Sequence, residues 1–153
     1  MNGFLYSLAL QWKLDIRSKS LLVTYYIVPL IFFLLMGGIF TSVMPEMGST
    51  LIQSMIVMSV SMGAFLGLPP SLIETYGSDI KKIYKANGVP IHLGLVTMVF
   101  SAFLHLMITC MVILLLAPIL FKANLPSQFP LFFLALAIYI FVSLSIGSIL
   151  GLT

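Results

Sequence analysis

Charged residues are scarce in this sequence, and their scarcity indicates the class of protein. Asp, Glu, Lys and Arg make up 7% of the 153 residues, whereas hydrophobic residues make up 61%. A soluble domain carries about 25% charged residues. Since so few charges cannot cover a water-exposed surface, the sequence predicts a protein that lies mostly in the lipid bilayer. No nucleic-acid partner is expected, because the basic residues stand beside apolar runs and form no separate basic domain.

Residues on which catalysis and metal binding depend are also few. Cys110 is the only cysteine and forms no disulfide within the chain. The four carboxylates, Asp15, Glu46, Glu74 and Asp79, are all expected in or near water. No phosphate-binding loop, metal-ligand spacing or nucleophile with a neighbouring base occurs. We therefore expect no catalytic residue, no metal and no directly bound cofactor.

Long apolar runs dominate the chain. Four of them reach the length of about 20 residues that a helix needs to cross the bilayer, and they lie at about 21–43, 51–73, 92–121 and 130–153. The runs are continuous rather than alternating, which favours helices over barrel strands. The sequence thus predicts an all-α membrane protein, a polytopic helical bundle in a single transmembrane domain, 1–153. Pro29 is expected to kink the first run, and Pro69-Pro70 to break or strongly kink the second.

The basic residues mark one side of the membrane. Of the seven, only Lys122 lies between the third and fourth runs; the others are Lys13, Arg17, Lys19, Lys81, Lys82 and Lys85. Because basic residues are retained in the cytoplasm, the pattern predicts a multi-pass protein of the cell membrane with a cytoplasmic N-terminus. The fourth run reaches Thr153 without a basic anchor, which suggests a piece of a longer protein. A complete four-helix protein is the alternative.

Residues 1–20 have a moderately amphipathic helical pattern. The apolar face holds Leu5, Leu8, Ala9, Trp12 and Ile16, and the opposite face holds Ser7, Gln11 and Ser18. This pattern predicts an interfacial helix, with Trp12 beside Lys13 as a membrane-surface anchor. An ordinary helical lead-in to the first span is an equally good interpretation.

A polar stretch, ETYGSDIKKIYKANGVP at 74–90, separates the second run from the third. Ser78 is suited to cap a helix, Asp79 complements its dipole, and Asn87-Gly88 followed by Pro90 ends it. The predicted short helix at 79–87 carries Ile80, Ile83 and Tyr84 on one face and Lys81, Lys82 and Lys85 elsewhere. A helix this short needs support from the membrane surface or from a groove in a partner. A basic turn that only marks the cytoplasmic side is the alternative.

The order of these features resembles the ABC-2 family of transporter permeases. An amphipathic lead-in and two spans are followed by IETYGSDIKKIYKANGVPIHLGLV and a long third span. Glu74, Gly77, Ser78 and Pro90 occupy places where the family's cytoplasmic loop often has Glu, Gly-Ser/Thr and Pro. The resemblance implies a permease of about six spans that pairs with a second permease copy or homologue. It also implies a partner, an ABC ATP-binding subunit, which binds the ATP.

In that family the loop between spans two and three forms a coupling helix that contacts the ATPase. The residues that correspond here are Glu74, Gly77, Ser78, Asp79, Ile80, Lys81, Lys82, Ile83, Tyr84 and Lys85. The resemblance therefore implies the membrane-spanning subunit of an ATP-driven exporter, with no catalytic activity of its own. A non-transport four-helix membrane anchor or regulatory subunit is the alternative.

Small and polar residues recur at every fourth position within three of the runs. Small residues that let helices approach closely are Ser59, Gly63, Gly67, Ser143, Gly147 and Gly151, and we expect them at helix contacts. The third run instead carries Thr97, Ser101, His105 and Thr109. Because an imidazole within a span is costly, this stripe is a candidate lining of a transport path or of a seam between two permeases. The alternative is that the hydroxyls bond their own helix and that His105 bonds a neighbouring helix.

Overall fold

The computed structural model describes residues 3–77, 82, 86 and 90–152, which form helices joined by short connections. The first helix, α1, is Gly3–Arg17. The four helices that follow are long and apolar enough to cross a membrane: α2 (Lys19–Val43), α3 (Leu51–Gly77), α4 (Ile91–Phe121) and α5 (Phe129–Leu152). The predicted all-α, polytopic bundle is confirmed.

The ends of α2, α4 and α5 lie close to those predicted from the apolar runs. The second span differs, because α3 continues beyond position 73 to Gly77. The prediction that a loop begins at Glu74 is therefore wrong. Glu74, Thr75 and Tyr76 do not stop a helix, and glycine, which commonly ends helices, comes only at Gly77.

Two spans contain a wider helical turn just before a proline. Val23–Ile27 in α2 and Gly63–Gly67 in α3 are π-helical, and Pro29 and Pro69 follow closely. A proline has no N–H to donate, and its ring clashes with the carbonyl four residues earlier. A π-helical turn shifts the hydrogen-bond pattern by one residue and makes room for the ring. The predicted break at Pro69-Pro70 does not occur, since α3 passes through both prolines as one continuous helix. The strong kink expected there as the other outcome, and the kink expected at Pro29, stay predictions.

The second span, α3, is the most buried of the four. At one end of the bundle, the Asn124 N–H donates a hydrogen bond of 3.0 Å to the Gly48 carbonyl. This bond joins the 3₁₀ turn at Pro45–Ser49 to the connection between α4 and α5. The backbone of Lys122 ends α4 in the left-handed conformation, with φ of 52°. Both connections therefore lie at one end of the bundle.

At the other end, α1 packs against α4. Leu5 and Ile16 of the predicted apolar face of α1 are exposed, whereas Ser7 and Gln11 of the polar face are half-buried. Much of the polar side of α1 thus turns toward the bundle, and apolar side chains remain on its outer surface. Exposed apolar side chains of this kind suit a helix at a membrane surface.

Candidate functional site

The polar stripe of α4 is covered by the chain's own helices. Thr97, Ser101, His105 and Thr109 are each at most 3% exposed. Helix α1 and the π-helical turn of α2 contact α4 along this region. In this conformation the stripe therefore faces no surface that a second permease copy would contact. Its predicted role in a transport path stays a prediction.

Asp15 of α1 lies against this stripe. It is only 6% exposed, which corrects the expectation that all the carboxylates lie in or near water. The Gln11 amide donates a hydrogen bond of 2.8 Å to Oδ1, and the Ser101 hydroxyl donates one of 2.5 Å to Oδ2. Both donors are neutral. A buried carboxylate without a compensating cation destabilises a protein. The groups next to Asp15 therefore determine whether a positive charge can lie beside it.

His105 lies between two aromatic rings from different helices. The indole of Trp12 in α1 stacks on the imidazole with a centroid distance of 4.2 Å and an interplanar angle of 4°. Tyr25 in α2 stacks at 5.6 Å and 14°. The Tyr26 hydroxyl lies 2.6 Å from Nδ1 of His105, within hydrogen-bond distance. The imidazole therefore connects α1, α2 and α4.

The second ring nitrogen of His105 has no hydrogen bond. Nε2 is buried and without a partner, and Asp15 Oδ2 is 3.7 Å away. That separation is too long for a hydrogen bond, whereas an N⁺–H···O⁻ bond is about 2.8 Å long. A buried polar atom without a partner is uncommon in native proteins and needs a physical explanation.

The combination of Ser101, His105 and Asp15 does not form a hydrolytic triad. In such a triad the serine hydroxyl bonds the imidazole, which in turn bonds the carboxylate. Here the Ser101 hydroxyl bonds Asp15, and the imidazole bonds Tyr26. The described part of the chain also contains no group of three or more His, Cys, Asp or Glu side chains placed to hold a metal ion.

Thr109 supports the wider turn of α2. Its hydroxyl lies 2.7 Å from the Tyr25 carbonyl oxygen and 3.1 Å from the His105 carbonyl oxygen. Pro29 has no N–H. The carbonyl of Tyr25, four residues earlier, therefore lacks its usual helical donor. Thr97 instead bonds only carbonyls of its own helix, at Leu93 and Gly94. The alternative interpretation, in which the hydroxyls bond their own helix and His105 bonds a neighbouring helix, holds for Thr97 and His105 and only in part for Thr109. It does not hold for Ser101, whose hydroxyl bonds Asp15.

Two cavities flank α1 near Asp15. The larger, of about 300 Å³, is lined by Asp15, by Glu74 at the end of α3 and by hydroxyl side chains of α2 and α3. The smaller, of about 240 Å³, is lined by Ser7 and Gln11 of α1 and by Thr97 of α4. Asp15 therefore lies beside a space large enough for water-sized molecules.

The small-residue stripes lie at contacts between helices. A Cβ atom on Gly63 would lie 2.3 Å from a side-chain atom of Leu106 in α4. A Cβ on Gly147 in α5 would lie 2.2 Å from the backbone oxygen of Ala64 in α3. Ser59, Gly67, Ser143 and Gly151 are buried as well. The spacing of the small residues therefore corresponds to close helix contacts.

Most of the predicted coupling residues lie outside the described part of the chain. These are Ser78, Asp79, Ile80, Lys81, Ile83, Tyr84 and Lys85. Glu74 and Gly77 belong to the last turns of α3 and are exposed, and Lys82 is also exposed. The predicted coupling helix stays a prediction.

The partners of the α4 stripe were missed from the sequence, although a signal was present. Ser7, Gln11 and Asp15 recur every fourth residue in α1, with the same spacing as the stripe in α4. Residues four apart lie on one face of a helix. Two stripes with equal spacing were therefore candidates to face each other.

Comparison of this chain with protein-family models, with curated proteins and with solved structures gives no match.

Proposed function

We propose that this chain is the membrane-spanning permease subunit of an ATP-driven ABC-2 type exporter. The proposal rests on the resemblance of the sequence to that family and is supported by the arrangement of its helices. A helix before the first span packs on the third span, and four spans follow each other through short connections except at the polar stretch. Such a layout suits a permease that receives motion through that stretch.

One structural observation supports the proposal most directly. Asp15 of α1 bonds Ser101 of α4, and Asp15 and Glu74 of α3 line one cavity. The lead-in helix, the end of the second span and the third span are therefore packed together, and the polar stretch follows the second span along the chain. Movement of that stretch would pass to α3 and α4 together.

In this mechanism the partner subunits bind ATP and close, and the coupling helix moves with them. ATP drives the change only if the ATPase has different affinities for the two states of the permease. Ile80, Ile83 and Tyr84 form the docking face, and the neighbouring lysines contact acidic groups of the ATPase or of the lipid surface. A second permease copy completes the transporter, and the lipid bilayer surrounds the spans.

Co-purification of the full-length gene product with its candidate ATPase tests the proposal. The variant combines Ile83→Asp with Tyr84→Asp. The control combines Leu125→Asp with Gln128→Asp, which adds the same charge at exposed positions between α4 and α5. Burying carboxylates in an apolar groove costs several kcal/mol, and each ~1.4 kcal/mol changes binding tenfold. We therefore expect more than tenfold less bound ATPase for the variant alone.

Membrane insertion has to be equal in all three proteins, as measured by the amount extracted from washed membranes. Equal ATPase binding by the variant and the wild type would contradict the proposal, as would the absence of any bound ATPase. Either result would favour a membrane anchor or regulatory subunit.

A further inference from the structure

The unpartnered nitrogen of His105 lies opposite a buried carboxylate. The hydroxyl of Tyr26 is within hydrogen-bond distance of Nδ1, whereas Nε2 lies 3.7 Å from Asp15 Oδ2 and has no hydrogen bond. A neutral imidazole has one N–H, and its position depends on the tautomer. Because an N–H at Nε2 would be drawn into a hydrogen bond with Asp15, the 3.7 Å separation assigns the proton to Nδ1, which then donates to the Tyr26 oxygen. The bare Nε2 then faces an oxygen that is also an acceptor. Two acceptors cannot bond each other, which explains the separation.

We propose that Asp15 and His105 form a proton-binding site, and that the bound proton fastens α1 to the third span. The proton attaches to the lone pair of Nε2, and no other bond breaks. The new N–H then donates to Asp15 Oδ2, and the distance shortens from 3.7 Å to about 2.8 Å. This inference does not depend on the proposed transport function.

Burial disfavours a positive charge on His105, and two features of its surroundings oppose that cost. The imidazole is stacked between the rings of Trp12 and Tyr25, and an aromatic face attracts a positive charge. Asp15 supplies the compensating negative charge, and its two neutral hydrogen bonds hold the carboxylate in place. Both Asp15 and Trp12 belong to α1, so protonation of one side chain in α4 strengthens two contacts of α1.

The other titratable groups near His105 come from the helices packed around it. They are Lys13 and Arg17 on the exposed side of α1, Tyr25 and Tyr26 of α2, and Glu74 of α3 across the larger cavity. The tyrosines stay neutral at physiological pH. Protons reach Asp15 through this cavity, which it lines. The proton-bound, fastened state is therefore the state at low pH, and α1 is held less firmly as the pH rises.

The single tryptophan of the chain reports on this site directly. Trp12 stacks on His105, and an imidazolium quenches indole fluorescence more strongly than a neutral imidazole does. In the full chain in lipid nanodiscs, we expect the emission to fall as the pH is lowered. His105→Gln abolishes the change, whereas His92→Gln retains it, since His92 is exposed at the start of α4. In Asp15→Asn the change requires a lower pH, because the negative charge opposite Nε2 is lost.

A wild-type measurement covers the case in which His105→Gln does not fold. The chain has 2 histidines, so ¹⁵N NMR of histidine-labelled protein resolves the titration of each. Emission that does not change with pH, that changes equally in His105→Gln, or that follows His92 in the NMR titration would overturn the proposal.

Thiol accessibility tests the fastening of α1. Ser7→Cys lies in the smaller cavity under α1, and Tyr6→Cys is exposed beside it. Both are made in a Cys110→Ala background and modified with a water-soluble reagent. Because a half-buried thiol ionises at a higher pH than an exposed one, the ratio of the two rates is also measured in His105→Gln, where only this difference between the thiols remains. We expect the ratio of Ser7→Cys to Tyr6→Cys to rise with pH more steeply than in His105→Gln, and an equal rise would overturn the fastening step.

Discussion

Replacing Gly147 with alanine should separate the second span from the fourth. The added Cβ would lie 2.2 Å from the Ala64 carbonyl oxygen, whereas ordinary contacts begin at 3.4 Å. The helices must therefore move apart locally by about 1.2 Å, the difference between the two distances. No rotamer change relieves the contact, because both atoms are attached rigidly to their backbones.

The expected change in the free energy of unfolding results from two opposing effects. Overpacking in a well-packed interior costs about 1–3 kcal/mol. Alanine is favoured over glycine within a helix by about 1 kcal/mol. Gly38→Ala provides the matched control, since Gly38 is also within a span and the nearest atom to its added Cβ is 3.9 Å away. In Gly38→Ala only the higher helix propensity of alanine changes the stability. We therefore expect Gly147→Ala to be less stable than Gly38→Ala by about 1–3 kcal/mol.

Thermal unfolding in detergent, followed by a dye that fluoresces on reaction with a thiol, measures this difference. Cys110 is the only cysteine and is 1% exposed, so it reacts only after the bundle opens. For a chain of this size 1 kcal/mol corresponds to about 2–4 °C, and the two variants should differ by several degrees. Equal unfolding temperatures would refute the close packing of Gly147 against Ala64.

Two further predictions concern hydrogen bonds between spans, and both use the same unfolding assay. Thr109→Val should destabilise the protein by about 1–2 kcal/mol, because it leaves the Tyr25 carbonyl buried and without a donor. Thr97→Val should be less destabilising, because the Thr97 hydroxyl bonds only its own helix. Equal effects would contradict the role of Thr109. Tyr139→Phe removes the 2.9 Å bond between Tyr139 and Ser61 that joins α5 to α3, with an expected cost of about 0.6 kcal/mol, and an unchanged unfolding temperature would show that the bond contributes nothing.

The spans could be predicted because the bilayer constrains their composition and length so strongly. A crossing helix needs about 20 apolar residues, and this requirement alone places α2, α4 and α5. The turn before Pro29 could not be predicted in the same way. The donor that satisfies the Tyr25 carbonyl is Thr109, which lies two spans later along the chain. A rule about proline and its nearest neighbours contains no information about such a partner.

The partner of the polar stripe illustrates what a search for complementary patterns would add. His105 in the middle of a span requires a partner, because an unsatisfied polar group in an apolar interior is costly. One neighbouring polar group, Asp15, belongs to a second polar stripe with the same helical spacing, formed by Ser7, Gln11 and Asp15 of α1. The other, Tyr26, comes from α2. The expectation that Asp15 lies in or near water follows from its place before the first apolar run, outside the predicted spans. The repeated polar positions of α1, rather than the isolated charge, indicate the buried position of Asp15, since a face with polar groups four residues apart can supply hydrogen bonds to a second such face.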